Sequence, residues 1–335
     1  MKKALLLVNV GTPEKPEPKA VRKFLTAFLN DKRVIDIPWL FRKILVNLII
    51  IPFRVMKSTA LYKKLWTPEG SPLLLHLLSL KDKLSQLLAG KYDVYACMRY
   101  GEPSLKEGLA QLKKRNTDEI IVLPLFPQYA SSTTGSVTEK VFEIVKKWEA
   151  IPDIRVIDRF YSHPAFISAF SSQIGKYNPQ WFDHIIFSYH GLPLSQIRKI
   201  HPENNCNGCS CEQSMPECGT WCYKANCYET TRLLVKTLNI PDHKFSVAFQ
   251  SRLTRNWLSP FTDELIKEQA SKGNANILVV APSFVADCLE TIVEIEMDYK
   301  QLFIEHGGRN LTLVKSLNDS DEWASAIVDI ITTQV

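Results

Sequence analysis

Long apolar runs are scarce in this 335-residue chain: the longest, Ile44–Phe53, is too short to span a bilayer and contains Asn47 and Pro52. Targeting signals are lacking as well. Met1–Val10 opens with lysines and an apolar stretch, but Gly11–Glu14 (GTPE) follows where a small-residue cleavage site belongs. Ala4–Val8 therefore reads as a buried strand and the chain as cytoplasmic. No G-x-G-x-x-G or Walker pattern occurs, which weakens any nucleotide-binding reading. No low-complexity tract or tight repeat is present. A net charge of +6 is too modest to point to nucleic acid. Acidic residues are missing altogether between Ile37 and Pro68, a stretch that holds Arg42, Lys43, Arg54, Lys57, Lys63 and Lys64.

What is present suits an ordinary globular protein of two domains. Hydrophobic residues make up 45% and charged residues 23%. Short apolar runs alternate with amphipathic, helix-like stretches. Ala4–Val8, Val94–Met98, Ile120–Leu125, Ile154–Ile157, His184–Ser188, Phe245–Phe249, Ile277–Ala281 and Leu311–Val314 read as strands. Near-continuous apolar strands separated by helices predict an α/β protein with parallel sheets covered on both faces. Eight such strands suggest two similar, doubly wound halves joined near residue 155. In such sheets ligands bind beyond the carboxyl ends of the strands. Gly11–Glu14, Arg99–Gly101, Pro127–Gly135, His190–Gly191 and Asp287–Glu290 all fall there, and the expectation is that they surround one cleft.

Two of those strand ends carry chemistry. Glu290, Glu294 and Asp298 lie four residues apart after the Ile277–Ala281 run, and on a helix they form one stripe. Like charges at that spacing repel, and no Lys or Arg lies between them. A solvated acidic face is the ordinary explanation, but Ile292, Val293, Ile295 and Met297 intersperse the acids and favour a buried track for cations or protons. His190 sits in Phe187–Pro193 (FSYHGLP) at the end of another strand. A lone His is more often structural. Opposite an acidic helix, its imidazole suits a borderline ion such as Fe²⁺, or proton transfer.

Six of the eight cysteines crowd between Cys206 and Cys227, with spacing C-x₂-C-x-C-x₆-C-x₃-C-x₄-C. In a cytosolic chain this is a metal centre rather than a disulfide framework. Four thiolates would hold a [2Fe–2S] cluster or, as the alternative, a structural Zn²⁺.

The ordered motifs Asn9–Pro13 (NVGTP), Met98–Ser104 (MRYGEPS), Leu123–Tyr129 (LPLFPQY) with Thr133–Ser136, Phe187–Pro193, Phe249–Leu253 (FQSRL) with Trp257–Pro260 and Thr262–Glu264, and Pro282–Glu294 resemble those of ferrochelatases. The resemblance runs from about residue 4 to the C-terminal region. It implies insertion of Fe²⁺ into a porphyrin, with release of the inner protons, as the terminal step of haem synthesis. The fold it implies is the chelatase fold, two Rossmann-like halves with the active-site cleft between them. Residues 1–155, with a membrane-facing lip at about 38–66 and completion by 312–335, would form the first; residues 156–311, with a cysteine insert at about 202–227, the second. His190 matches the family's active-site histidine, Glu290 the facing glutamate, and Glu294 and Asp298 the acidic column that relays protons or metal. By their place in the motifs, Arg99, Tyr100 and Ser131 would contact propionates or shape the pocket, and Trp257 would pack on the macrocycle. Val10 stands where some relatives carry Tyr or Met near the metal, and Cys288 where some carry His; a buried thiol is the simpler reading of Cys288.

Some ferrochelatases carry a [2Fe–2S] cluster, and an internal set such as this one implies that form. The four ligands would come from Cys206, Cys209, Cys211, Cys218 and Cys222, because Cys227 opens a helix where cluster-free relatives have Cys too. The basic, apolar Pro38–Met56 stretch resembles the lip of membrane-associated members, although a core helix with exposed cations has the same composition. It implies peripheral membrane attachment, protoporphyrin IX as substrate, and an upstream haem-pathway oxidase as partner. A coproporphyrin III enzyme, a chelatase for another metal or tetrapyrrole, and a non-catalytic iron–sulfur or haem sensor are the competing readings.

Overall fold

A computed structural model describes residues 1–201 and 209–334. All eight anticipated strands form: β1 (Lys3–Gly11), β2 (Asp93–Tyr100), β3 (Glu119–Pro124), β4 (Asp153–Val156), β5 (His184–His190), β6 (Phe245–Gln250), β7 (Asn276–Val280) and β8 (Asn310–Leu313). They make two parallel four-stranded sheets of matching order, β2-β1-β3-β4 and β6-β5-β7-β8. Parallel strands need helical crossovers that cover both faces, so the central strands are dry. Ala4–Val8 and Ile185–Phe187 are fully buried.

The chain divides into two compact units. The first comprises Met1–Phe126, Ala130–Arg159 and the C-terminal segment from Asp319; the second comprises Pro127–Tyr129 and Phe160–Asn318. In the first, β1 is the pivot. Gly11 ends it at φ +123°, and a Cβ there would lie 1.7 Å from the Tyr100 carbonyl oxygen, so only glycine allows the chain to leave β1 against β2. The C-terminal helix Asp321–Thr333 is secured by Asp319, which accepts from Ser79 Oγ at 2.6 Å and pairs with His76 Nδ1 at 2.8 Å.

The basic apolar stretch requires a correction. The apolar run in sequence stops at Phe53, but the helical path continues unbroken from Trp39 to Leu65, 27 residues, because Pro52 lies at a turn start where its missing N–H is tolerated. By length and composition this one helix could cross a membrane. Its apolar side chains are largely uncovered: Trp39, Phe41, Leu48, Phe53 and Met56 are each more than 60% exposed. Arg42 is the exception among its cations. It is buried and gives Nη1 to the Ile37 carbonyl at 2.9 Å, so it holds the helix start and is not a surface charge.

In the second unit His184 opens β5 and is buried against Ser246, with Nε2 and Oγ 2.9 Å apart. Burial first, then the nearby Lys272 charge, holds its imidazole down at about 4, against 6.5 ordinarily. Between those values the unfolded chain binds a proton that the folded one refuses. Its contribution to stability is therefore complete above pH 6.5 and is lost as pH falls towards 4, by up to about 3 kcal/mol. Urea midpoints at pH 7.5 and 4.5 should show this loss, and His184→Gln should flatten it; an equal loss in the variant would assign the acid sensitivity elsewhere.

Candidate functional site

In the second unit the strand order reverses between β5 and β7: the chain runs from β5 to β6 on one side, then returns to β7 on the other. Such a switch point leaves a crevice at the carboxyl ends of the two central strands. His190 is the last residue of β5, and the segment after β7 leads into the helix Leu289–Tyr299 with Glu290 in its first turn. Topology alone thus brings the histidine and the glutamate to one end of one sheet.

His190 is held on several sides. Its Nδ1 lies 2.6 Å from the Gly191 carbonyl oxygen, which can only accept, so Nδ1 carries the proton and the Nε2 lone pair is left for a substrate proton or a metal. Tyr223 donates to the His190 carbonyl at 2.9 Å, and the His190 amide donates to Ser283 Oγ at 3.3 Å. Trp257 and Phe284 stand 6.4 and 6.3 Å from the imidazole, ring centre to ring centre. The loop after β5 is tied to that after β6 through Gly191 N–H to Gln250 O (2.8 Å), Leu194 N–H to Asn256 O (3.0 Å) and Leu258 N–H to Leu192 O (2.9 Å). A Cβ on Gly191 would meet that Gln250 oxygen at 2.8 Å and the Trp257 ring at 3.3 Å. Gly191→Ala should destabilise by about 1–3 kcal/mol. By moving the Nδ1 acceptor it should also slow the reaction about tenfold or more. Thermal melts and steady-state rates on the same preparation check both effects.

Gln250 is the hub on the acidic side. Its Oε1 accepts from Ser188 at 2.7 Å, which fixes its amide so that Nε2 donates to the Glu290 carbonyl (2.9 Å) and the Glu294 carboxylate (3.1 Å). Glu294 also accepts from the Ser251 amide (2.9 Å), the Ser251 hydroxyl and Tyr299 (2.7 Å). Four donors anchor this carboxylate and fix its orientation. Burial, then the Glu294 charge, pushes the Tyr299 hydroxyl far above its ordinary range and keeps it a donor. Cys288 is buried, and burial followed by the Glu290 charge holds it well above the usual thiol value. It stays a thiol hydrogen-bonded to Glu290, in line with the simpler reading of that residue.

The acidic helix differs from expectation in its winding. Leu289–Tyr299 is π-helical, with i→i+5 bonding, where an α-helix was expected. Glu290 and Glu294 are half-buried, whereas Met297 and Asp298 are exposed. The stripe therefore runs from half-buried to exposed rather than being buried along its whole length.

In the first unit Arg99 and Tyr100 end β2, and their polar groups converge on Asp31. Arg99 Nη2 donates to Asp31 at 2.7 Å, Tyr100 and Ser136 each at 2.6 Å, and Arg99 Nε also donates to Ser136 Oγ at 2.8 Å. This geometry gives Arg99 and Tyr100 the role of holding Asp31 before any contact to a ligand. Ser131 starts a π-turn, and its Oγ accepts from Arg33 at 3.0 Å. A cavity of about 290 Å³ lies beside Arg99, Tyr100, Thr12 and Lys23.

The cysteines divide. Cys206 lies outside the described residues. Cys209, Cys211 and Cys222 line one cavity of about 130 Å³, together with His201, Arg198 and Lys224. Cys218 is exposed on the turn Glu217–Trp221, and Cys227 is buried in the helix Tyr223–Leu238. Burial, offset in part by Lys224, pushes the Cys211 thiol up to about 12. Among the described residues no three His, Cys, Asp or Glu side chains converge closely enough to hold a metal ion. The described cysteines share a region but, as placed, do not form a metal site.

Sequence reasoning missed Gln250, Ser251, Tyr223, Ser283 and Asp31. Gln250 and Ser251 lay inside a recognised motif, but their work depends on the β5–β6 register and on a left-handed Ser251 (φ 62°), which no periodicity reports.

Comparison with known proteins agrees with the fold and the motifs. The Ferrochelatase family model matches residues 2–335. The ferrochelatase of Legionella pneumophila (strain Corby) is 42% identical over 341 residues and the two chains cover each other fully. That of Coxiella burnetii (strain Dugway 5J108-111) is 42% identical over 332 residues, 96% of this chain and 91% of the other. Among solved structures, the sirohydrochlorin chelatase SirB of Bacillus subtilis subspecies spizizenii, in complex with cobalt, superposes with a TM-score of 0.57 at 12% identity, over 99% of this chain and 94% of that one. A Bacillus subtilis SirB structure with Fe³⁺ gives 0.56 over 99% and 95%. At that identity the likeness concerns the chelatase fold.

Proposed function

Because the chain belongs to the ferrochelatase family, it is a metal chelatase that inserts Fe²⁺ into a porphyrin in haem synthesis, and we propose that His190 and Glu290 carry the reaction on protoporphyrin IX. The observation that carries the assignment is the fixed tautomer of His190, whose Nδ1–H is bound to Gly191 O and whose Nε2 is left available. Free-base porphyrin must lose its inner N–H protons, and hydrated Fe²⁺ must lose its waters. His190 Nε2 and the Glu290 carboxylate divide these tasks, one accepting protons while the other hands over iron. Glu294, anchored by Gln250, Ser251 and Tyr299, keeps a fixed carboxylate behind Glu290, and exposed Asp298 opens the acidic stripe to solvent. Trp257, beside His190, offers an apolar face to the macrocycle. Pockets that stabilise a puckered ring lower the barrier by differential binding.

The uncovered face of the helix Trp39–Leu65 supports protoporphyrin over the more acidic coproporphyrin, and a peripheral position on a cytoplasmic membrane surface. Phe41, Leu48, Phe53 and Met56 are exposed beside Arg54 and Lys57, with no acid in the stretch. That combination suits the interface of an anionic bilayer. Leu48→Asp with Phe53→Asp should abolish sedimentation with anionic vesicles; wild-type protein that leaves vesicles unbound would refute the surface assignment.

A [2Fe–2S] cluster, with structural Zn²⁺ as its competitor, would draw four ligands from Cys206, Cys209, Cys211, Cys218 and Cys222; the described members of that set are not arranged to hold a metal ion as they stand. Once bound, a cluster would supply a covalent brace and one-electron redox capacity. Cys222 immediately precedes Tyr223, which donates to His190, so the thiolates would steady the helix start behind the catalytic loop.

Anaerobic metallation of protoporphyrin IX and coproporphyrin III, followed by loss of free-base absorbance, tests the substrate. Faster turnover of protoporphyrin supports the proposal, and a preference for coproporphyrin reverses it. Turnover of neither by folded protein would favour a sensor.

A further inference from the structure

The peptide group between His190 and Gly191 is held at both ends. Its N–H, on Gly191, donates to the Gln250 carbonyl at 2.8 Å, at the end of the β5–β6 ladder. Its carbonyl, on His190, accepts the Tyr223 hydroxyl at 2.9 Å. A trans peptide is planar, with C=O and N–H pointing opposite ways, so two such bonds fix the plane. The next carbonyl along, Gly191 O, is the acceptor of His190 Nδ1–H at 2.6 Å. Where that carbonyl points decides which imidazole nitrogen carries the proton.

Tyr223 is itself firmly placed. It is 5% exposed and opens the helix Tyr223–Leu238, whose start is tied to the preceding turn by Asn226 Nδ2 to the Gly219 carbonyl at 3.0 Å. Burial pushes its hydroxyl well above the ordinary tyrosine range, so it remains a donor. Its one proton goes to the His190 carbonyl, and its oxygen is hydrogen-bonded in turn by Ser283. Ser283 Oγ also accepts the His190 amide at 3.3 Å. The bonds close a ring around His190, from its N–H to Ser283, from Ser283 to Tyr223, and from Tyr223 back to its C=O. Tyr189, the buried tyrosine that precedes His190 on β5, turns elsewhere: its hydroxyl lies 2.8 Å from that of Thr231.

We propose that Tyr223 is a positioning residue for metallation: its hydroxyl, braced by Ser283, fixes the His190–Gly191 peptide and with it the carbonyl that keeps the His190 proton on Nδ1. This rests on the reading of His190 as the group that meets the porphyrin protons or the iron. Without the hydroxyl the His190 carbonyl loses its partner, the peptide turns about the single bonds on either side, and both imidazole tautomers become populated. A ring protonated on Nε2 offers no lone pair there. Turnover then falls with the fraction of correctly placed imidazole, while porphyrin binding is kept.

The test uses the full chain labelled with ¹⁵N-histidine. Nitrogen spectra give the His190 tautomer, its signals identified by their loss in His190→Ala, and steady-state metallation of protoporphyrin IX gives kcat and KM separately. Wild type should show the Nδ1–H form. Tyr223→Phe should show a mixture, with kcat lowered about tenfold and KM little changed. Ser283→Ala should move both readouts in the same direction by less. Tyr189→Phe, which removes another buried hydroxyl beside His190, should leave both at wild-type values. Circular dichroism checks that each variant is folded, and if Tyr223→Phe is not, Ser283→Ala decides by the same readouts. An unchanged tautomer and kcat in folded Tyr223→Phe, or equal losses in Tyr223→Phe and Tyr189→Phe, would overturn the proposal. Full activity in His190→Ala would overturn the reading of His190 itself, and the nitrogen spectra would still test what Tyr223 holds.

Discussion

Replacing His190 with alanine should lower porphyrin metallation about 10²–10⁴-fold while the protein stays folded. The imidazole hydrogen-bonds through Nδ1–H to Gly191 O at 2.6 Å, and that bond faces its own loop. Its removal costs the fold about 1 kcal/mol, a small part of the stability of a domain. The loop keeps its other ties, Gly191 to Gln250, Leu194 to Asn256 and Leu258 to Leu192. The reaction loses the one group whose Nε2 the local geometry reserves. Rates with protoporphyrin IX and Fe²⁺, measured beside a thermal melt, separate the two effects. A variant that metallates at nearly the wild-type rate would remove His190 from the mechanism, and one that fails to fold would make its role structural. Glu290→Gln is the companion experiment, because it keeps the shape of the side chain while removing the charge.

The largest stability effect is expected in the first unit, at Asp31. Asp31→Ala should destabilise by about 3–5 kcal/mol, the cost of leaving a buried partner charge uncompensated. The side chain is 7% exposed, and Arg99 is nearly as covered at 17%. Besides Arg99, Tyr100 and Ser136 donate to the same oxygen and the Arg33 amide to the other at 2.8 Å. Burial opposes the charge on Asp31, but the donors from Ser136, Tyr100 and Arg33, with the charge of Arg99, outweigh it and hold the carboxyl below its ordinary 3.8. The sign follows. This contribution is complete above the ordinary carboxylate value and is lost as pH falls through the lowered one. Asp31→Asn keeps the shape, loses the charge and should fall between wild type and alanine in urea midpoint. A loss below about 1 kcal/mol in the alanine variant would mean that water or a neighbour takes over the donors.

The strands were legible because a parallel sheet covered on both faces demands continuous apolar runs, and Ala4–Val8 or Ile277–Ala281 have no other stable use. His190 and Glu290 were legible as strand-end residues for the same reason. The rest depends on information that periodicity does not carry. Glu290, Glu294 and Asp298 fit an α-helical stripe equally well, so the π-winding of Leu289–Tyr299 left no mark in spacing. Arg42 looked like one more surface cation until its Nη1 was found on the Ile37 carbonyl. Arg99 and Tyr100 looked free to meet a ligand because Asp31, their partner, lies 68 and 69 positions away. Gln250 gains its place only when β6 pairs with β5 in register, His190 opposite Gln250.

The uncovered apolar row on the helix Trp39–Leu65 governs how the molecule behaves in a tube. Phe53 at 82% exposure and Leu48 at 69% present to water a surface that soluble monomers seldom carry. Such a row should favour self-association in plain buffer, which sedimentation at rising protein concentration, with and without mild detergent, checks. Specific activity then depends on the history of the sample, and a mild detergent or vesicles must be present before any two preparations are compared.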